Sequence, residues 1–121
     1  MDTPKIYESE YRFCLILWER GPVPAAELVK LCQARLGWKR TTTYTVIKRL
    51  CDKGCLKNEA AVVTSLVDRA TVQQADGQEV LQRSFHGSLP SFLAAFLRAG
   101  SVSDQEAAEI EQMLEEYRQS H

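Results

Sequence analysis

The stretch from Trp38 to Leu50 most constrains the fold, because its residue pattern is typical of an amphipathic helix with two unlike faces. The i, i+3, i+4, i+7 spacing of a buried stripe is occupied by Thr43, Val46, Ile47 and Leu50. The positions between them carry cations and hydroxyl groups and no carboxylate. Such a face offers hydrogen-bond donors to phosphates and to base edges. We therefore predict that double-stranded DNA is bound by Lys39, Arg40, Thr41, Thr42, Tyr44, Thr45, Lys48 and Arg49.

Charge is unevenly distributed along the chain. The whole sequence carries 15 basic and 16 acidic side chains, and this net charge of −1 does not indicate any partner. Residues 35–57 alone hold seven basic side chains against Asp52, a net charge of +6, whereas residues 1–34 carry −1 and residues 58–121 carry −6. A basic segment in an otherwise acidic protein is typical of polyanion binding. A merely solvated helix face is the alternative for this segment taken alone.

The length of the chain limits its organisation. At 121 residues it forms one domain, or a small domain with an oligomerisation element. It contains no apolar run near the roughly 20 residues of a membrane span, and residues 1–5 hold no apolar signal-peptide core. We therefore expect a cytoplasmic protein without a membrane partner, in which the four cysteines stay reduced.

The cysteines favour a structural interpretation. Cys14, Cys32 and Cys51 fall on the apolar stripes of predicted helices, where free cysteine behaves as a small core residue. Cys51 and Cys55 lie four residues apart, but two thiols do not make a zinc site, and both histidines lie in other segments. We therefore expect no metal and no cofactor. A thiol switch at Cys51 and Cys55 is the alternative.

Three short helices are predicted in the first half of the chain. The first runs from about Ser9 to Glu19, the second begins at Pro24 or Ala25 and ends before Gly37, and the third runs from about Arg40 to Lys53. Three helices joined by tight turns within about fifty residues are typical of a helix-turn-helix core.

A hairpin follows the third helix. Leu56–Glu59 and the β-branched run Val62–Leu66 are strand candidates, and Ala60-Ala61 is the turn between them. A hairpin in this position is the wing of a winged helix, so we predict a mostly helical chain with a two-strand wing between about residues 55 and 67. This wing is short and poor in basic residues, and we expect it to contact DNA weakly.

Helical patterns resume after the hairpin. One helix begins at about Arg69 with an interruption predicted at Gly77, and Gly87-Ser88 ends it. A further helix follows Ser88 and ends at Ala99-Gly100, and a capping box of Ser103 and Glu106 begins the last one.

The C-terminal helices present more apolar surface than a wing and three small helices cover. A monomer would expose a large apolar patch, which soluble proteins avoid, and a two-fold dimer buries it. Packing within one subunit is the alternative. The fold class is therefore mainly α, with a winged helix-turn-helix domain at residues 1–67 and a C-terminal helical dimerisation element at residues 68–121. The predicted dimerisation residues are Phe85, Leu89, Phe92, Leu93, Phe96, Leu97, Ile110 and Leu114.

Several motifs occur in an order and at spacings that are specific in combination. They are Glu10-Tyr11, Leu17–Pro22, Gly37–Thr42, Tyr44-Thr45, Lys48–Leu50, Lys53-Gly54 and Phe85–Leu89. Through them nearly the whole chain resembles the penicillinase-repressor family of winged-helix repressors. The resemblance implies a homodimer that binds an inverted-repeat operator over a promoter and represses it, with the third helix in the major groove.

The same resemblance implies two routes of control. In the antibiotic-resistance members, a membrane sensor triggers proteolytic cleavage in the dimerisation helices, at the position of Ala95-Phe96 here, so a sensor protease is an implied partner. The copper-responsive members use Cys-x-Cys pairs near the C-terminus, and this chain has no cysteine after Cys55. Copper sensing of that kind is therefore not expected.

Two rival functions remain open from the sequence. One is a winged helix that binds proteins and has lost DNA binding. The Asn58–Ala61 wing favours it, because the resemblance implies a more basic wing there, whereas the uninterrupted basic face of the third helix argues against it. The other is an enzyme. We expect no enzyme, because the chain has no Ser/His/Asp or Cys/His constellation and no glycine-rich phosphate loop.

Overall fold

The computed structural model of the chain describes residues 4–121. Residues 1–3, part of the N-terminal segment expected to lack a signal-peptide core, lie outside the described residues. The structure has two compact units, of which the first ends at Gly77 and the second is Gln78–His121. The elements in chain order are α1 Glu8–Arg20, β1 Val23–Pro24, α2 Ala25–Leu36, α3 Arg40–Asp52, β2 Leu56–Glu59, β3 Val62–Ser65, α4 Arg69–Phe85, α5 Leu89–Ala99 and α6 Asp104–Ser120.

The first unit is a winged helix-turn-helix, as predicted. Its core lies between α1, α2, α3 and the small sheet, and its largest fully buried apolar side chains include Phe13, Leu17, Leu28 and Leu50. Burying a side chain of this size contributes roughly 1.5–3 kcal/mol, so the three helices are held together mainly by this cluster. The Trp18 indole N–H joins α1 to the sheet side of the core, with acceptors at Ser65 Oγ (3.0 Å) and the Val67 carbonyl (2.9 Å).

The sheet contains one strand more than the two-strand wing predicted from the sequence. β2 and β3 form the expected antiparallel hairpin, in which Glu59 is opposite Val62. The short β1 pairs with the other edge of β3, with Val23 opposite Val63, so the strand order is β1-β3-β2. The prediction missed β1 because two residues, one of them a proline, show no strand periodicity.

The hairpin turn fastens the wing to α2. Ala60 and Ala61 have φ values of 52° and 62°, and positive φ at both central residues is what a two-residue type I′ hairpin requires. The Ala61 carbonyl accepts a hydrogen bond from the Ala25 N–H at 2.9 Å. One of the unpaired N–H groups at the start of α2 is thereby satisfied, and the wing is fixed beside the helix-turn-helix.

The predicted interruption at Gly77 is wrong, because α4 is continuous from Arg69 to Phe85. A single glycine in a helix costs about 1 kcal/mol relative to alanine and does not by itself break the helix. The predicted end of this helix is confirmed: His86 and Gly87 take positive φ values of 51° and 78°. The compact units divide within α4, ten residues beyond the predicted functional boundary at 67/68.

The second unit consists of the end of α4 with α5 and α6. Aromatic rings join the end of α4 to α5, since the Phe92 ring lies 5.3 Å from that of Phe85 and 5.0 Å from that of Phe96. The expected caps are present, because Ser88 Oγ accepts from the Ser91 N–H, and Ser103 forms a capping box with Glu106. No residue of α5 or α6 is buried, so this unit has no enclosed core within one chain.

Replacing Gly77 with alanine should stabilise the protein. The position is helical and exposed, and a Cβ there would meet no atom within 4 Å. We expect Gly77→Ala to raise the free energy of unfolding by about 0.5–1 kcal/mol, measured by urea unfolding. The control is Gly87→Ala, which should destabilise because φ is +78° and a Cβ would lie 3.1 Å from Gln82 Oε1. Equal effects from the two variants would contradict this account of α4.

Candidate nucleic-acid interface

α3 determines which side chains the first unit presents, because one of its faces is locked in the core. Thr43 and Leu50 are completely inaccessible, and Val46 and Ile47 are nearly so. The buried stripe predicted from the sequence is therefore confirmed. With this stripe fixed, the 3.6-residue period of the helix decides which residues point outward.

The side chains predicted to bind DNA are all exposed. Lys39 stands at the N-cap of α3, and the other seven lie on the helix itself. The exposed set is Lys39, Arg40, Thr41, Thr42, Tyr44, Thr45, Lys48 and Arg49. The fold thus leaves the complete set available to a partner, and their contact with DNA remains a prediction.

Contacts within this face are weak and leave its polar atoms accessible. The Arg40 guanidinium lies over the Tyr44 ring at 5.6 Å from the ring centroid. The Thr45 hydroxyl donates to the carbonyl four residues earlier at 2.8 Å, which leaves its lone pairs free to accept. Lys48 and Asp52 form an exposed ion pair at 3.3 Å. Such pairs contribute about 0–1 kcal/mol, so a phosphate can displace Asp52 at little cost.

A shallow groove of about 310 Å³ runs along this face of α3. It brings α1 into the site through Ser9, whose position in the first turn of that helix gave no local signal in the sequence. The lining residues are Ser9, Trp38, Thr41, Thr42, Thr45, Val46 and Arg49. Four of these belong to the predicted set, so the groove brings those four together on a surface that Trp38 and Val46 make partly apolar.

A second, smaller groove of about 190 Å³ lies between α2 and α3. Arg40 and Tyr44 line it from α3, and Ala26, Val29 and Lys30 line it from α2. Lys30 is a further cation that sequence reasoning missed, because it is separated from the basic segment by an uncharged stretch. The groove places the two cations at one surface suited to a phosphate backbone.

A buried carboxylate links α1 to the C-terminal end of α3. The Glu10 side chain is 0% exposed, and its Oε1 accepts from Lys53 Nζ at 2.7 Å and from the Tyr7 N–H at 3.0 Å. Lys53 Nζ also donates to the Lys5 carbonyl at 3.1 Å. Arg49 Nη1 lies 3.7 Å from Glu10 Oε2. Two cations of the basic segment are therefore gathered around one buried negative charge.

Glu10 stays ionised in this setting. Burial by itself raises the pKa of the Glu10 carboxyl, but hydrogen bonds from Lys53 and the Tyr7 N–H, together with the nearby charge of Arg49, hold that pKa below its ordinary value. The helical period could have identified this residue, because Glu10 stands three, four and seven residues before Phe13, Cys14 and Leu17, on the buried face of α1. Tyr11 and Trp18 pack against the core and are only half-buried.

The wing adds no net charge to the interface. Lys57 is the only cation of β2, and its Nζ lies 3.9 Å from Glu59 Oε2 of the same strand. β3 carries no charged residue. A weak contact between the wing and DNA therefore stays a prediction.

The cysteines are free and mostly enclosed. Cys14, Cys32 and Cys55 are buried and Cys51 is half-buried. Burial raises the pKa of all four thiols, to about 12 for Cys14. A reactive cysteine needs a lowered pKa and access to solvent, so the environments of Cys51 and Cys55 disfavour the thiol switch.

Neither a membrane helix nor a metal cluster occurs in the described part of the chain. No helix there is long and apolar enough to cross a membrane. No group of three or more His, Cys, Asp and Glu side chains in residues 4–121 could hold a metal ion.

A winged helix-turn-helix with a basic, exposed face on α3 is typical of DNA-binding transcription regulators. The chain belongs to the penicillinase repressor family, whose sequence model matches residues 6–116. It is thus a transcriptional repressor by class, and not an enzyme.

Two relatives are similar over almost the whole chain. One is the penicillinase repressor of Bacillus licheniformis, which is 26% identical over 119 residues that cover 95% of this chain and 93% of that protein. Another is an uncharacterized 16.5 kDa protein in the ptsI 3′ region of Latilactobacillus sakei, 29% identical over 118 residues that cover 93% of this chain and 80% of that protein. The similarity therefore includes both compact units.

Proposed function

We propose that the protein is a homodimeric repressor that binds an inverted-repeat operator by placing α3 in the major groove. The observation that carries this proposal is the exposed face of α3, where cations and hydroxyl groups occur without a carboxylate from Lys39 to Arg49. A helix of this kind fits the major groove, where each base pair presents a distinct pattern of donors and acceptors. Its site of action would be the cytoplasm, where the operator DNA is.

The side chains of the face divide into two roles. Thr41, Thr42 and Thr45 line the groove along α3 with short hydroxyl side chains that suit base edges. The longer cations suit phosphates, although an arginine can also read guanine with two hydrogen bonds. The residues assigned to phosphates are Lys39, Arg40, Lys48 and Arg49, and Ser9 and Lys30 extend the phosphate-facing surface.

The second unit supports the dimer. Several of its large apolar side chains are exposed in a single chain, whereas Phe85, Phe92, Leu93 and Ile110 are half-buried. Phe96 on α5 is 43% exposed although it belongs to the aromatic cluster of the unit. A second copy that presents the same surface would bury it around a two-fold axis. Large exposed side chains of this unit are Leu89, Phe96, Leu97, Met113, Leu114 and Tyr117.

Dimerisation gives a means of control. Two recognition helices on one dimer make the second half-site contact intramolecular, which can raise apparent affinity by roughly 10²–10⁴-fold. Loss of the tether would therefore release the operator without any change in α3. The sensor protease implied by the resemblance stays a prediction. Its cleavage position, Ala95-Phe96, lies inside α5, so local unwinding of that helix would have to precede cleavage.

Removing Arg49 tests the docking of α3. Arg49→Ala should weaken binding to all duplex sequences and lower the slope of log affinity against log salt by about one unit, because one phosphate contact is lost. The control is Arg35→Ala, because Arg35 pairs with Glu19 at 2.9 Å and lines neither groove of α3. Fluorescence anisotropy over a salt series measures both quantities. If Arg49→Ala left the affinity and the slope unchanged, the docking model would be wrong.

A charge at Phe96 tests the dimer. Phe96→Asp should give a monomer in which the winged helix stays folded, because a desolvated carboxylate without a partner is costly in an apolar interface. Operator affinity should then fall by roughly 10²-fold or more. Ser91→Asp is the matched control, since it places the same charge at an exposed position of α5. Sedimentation and DNA binding are measured together, and a Phe96→Asp dimer with normal operator binding would refute the mechanism.

A winged helix that binds only proteins is the second candidate, favoured by the uncharged tip and balanced charges of the wing. The two candidates differ in their response to salt. Binding to duplex DNA whose affinity falls steeply with salt supports the repressor, and absence of duplex binding at low salt supports the protein-binding module.

A further inference from the structure

We propose that Glu10 is a positioning residue for DNA recognition and that it acts through Arg49. This inference rests on the proposed function, because it assumes that the exposed face of α3 docks on DNA. It assigns a role in recognition to a buried side chain of α1 that itself touches no DNA.

The two oxygens of the Glu10 carboxylate have different environments. Oε1 is anchored by Lys53 Nζ at 2.7 Å and by the Tyr7 N–H at 3.0 Å, the second of which belongs to the cap of α1. Oε2 is buried and has no hydrogen-bond partner among the described residues. It lies 3.7 Å from Arg49 Nη1. The carboxylate is thus held in place through one oxygen and presents the other to Arg49.

This arrangement orients Arg49 without using its hydrogen-bond donors. A separation of 3.7 Å is longer than a hydrogen bond, so the guanidinium is attracted by charge alone. That attraction is strengthened because Glu10 is shielded from water. Arg49 remains 50% exposed and lines the groove with Thr42 and Thr45. The donors of its guanidinium other than those of Nη1 therefore stay available for a phosphate or a guanine.

A structural salt bridge alone does not account for the second oxygen. Lys53 is only 24% exposed, reaches Glu10 at 2.7 Å and also bonds the Lys5 carbonyl, so the link between α1 and α3 is complete without Arg49. A buried acceptor without a hydrogen bond is unfavourable. A positioning role explains why Glu10 Oε2 lies buried beside Arg49, a cation on the exposed face of α3.

The direction in which DNA affinity changes when the Glu10 carboxylate is removed distinguishes positioning from simple charge repulsion. Removing a carboxylate near the phosphates should tighten DNA binding if only Coulomb repulsion matters. If Glu10 restricts Arg49 to its docking direction, the same removal should weaken binding, because the ordering of Arg49 then has to occur on association. The two roles therefore predict changes in opposite directions.

The test compares Glu10→Gln with a matched control, Glu8→Gln. Both remove one carboxylate from the first turn of α1, but Glu8 is exposed and pairs with Arg12 at 2.9 Å instead of with α3. The probe is the 30-base-pair duplex that the wild-type chain selects from a random-sequence pool. We expect Glu10→Gln to bind it about five- to tenfold more weakly, which is the low end of the loss that follows removal of a base contact. Glu8→Gln should bind it as tightly as the wild type or slightly more tightly.

A double-mutant cycle shows whether Glu10 acts through Arg49. In an Arg49→Ala background, Glu10→Gln should cause no further loss of affinity, because the Arg49 side chain through which Glu10 acts is absent. The inference is overturned if Glu10→Gln binds as tightly as Glu8→Gln, or if its loss persists undiminished in that background. Circular dichroism at the assay temperature establishes that each variant is folded.

A second variant keeps the test decisive if Glu10→Gln does not fold. Glu10→Asp retains the charge but withdraws the carboxylate by one methylene group, so it should weaken binding by a smaller factor. Unchanged binding would overturn the inference. Failure of the proposed function itself looks different, because the wild-type chain would then bind no duplex in a salt-dependent manner, or Arg49→Ala would bind like the wild type.

Discussion

Burial of one stripe of α3 is the constraint on which the rest of the structure depends. Thr43, Val46, Ile47 and Leu50 are enclosed by the core that α1, α2 and the small sheet build around them. A rotation of α3 by one residue, about 100°, would expose apolar side chains and bury a cation. The rotation of α3 is therefore fixed by hydrophobic burial, and the set of side chains available to DNA follows from it.

Charge is then arranged around that fixed helix. The excess of basic residues between 35 and 57 is left at the surface along α3, whereas the wing is nearly neutral and the rest of the chain is acidic. Glu10 is the exception, because it is a negative charge placed under the end of α3 and enclosed there. A charge so enclosed is costly unless it is paired, and its pairing with Lys53 makes it a structural link between α1 and α3.

Local signals in the sequence predicted much of this structure. The bounds of α3, the Ala60-Ala61 turn and the capping box at Ser103 are encoded within a few neighbouring residues, and the structure confirms them. The sequence did not predict β1, because a strand of two residues is too short to show an alternating pattern. The predicted interruption at Gly77 was wrong, because one glycine costs less free energy than the surrounding hydrogen-bonded turns of a long helix contribute. The DNA-facing set itself remains a prediction, although its exposure is established.

Contacts between distant parts of the chain could not be predicted. Glu10 meets Lys53 across 43 residues of sequence, and Ser9 and Lys30 reach the surface of α3 only through the packing of α1 and α2. The residues next to Glu10, Ser9 and Lys30 in the sequence show no pattern that predicts these contacts. The residues that surround α3 therefore depend on tertiary packing, whereas the helix itself depends on a local pattern.

Chemical protection of guanine N7 shows whether α3 enters the major groove, because this atom lies there. Dimethyl sulfate modification would be measured on the duplex selected by the wild-type chain, with and without protein. We expect two patches of major-groove protection related by two-fold symmetry, one for each α3 of the dimer. A single patch, or no protection at protein concentrations that saturate the duplex, would contradict it.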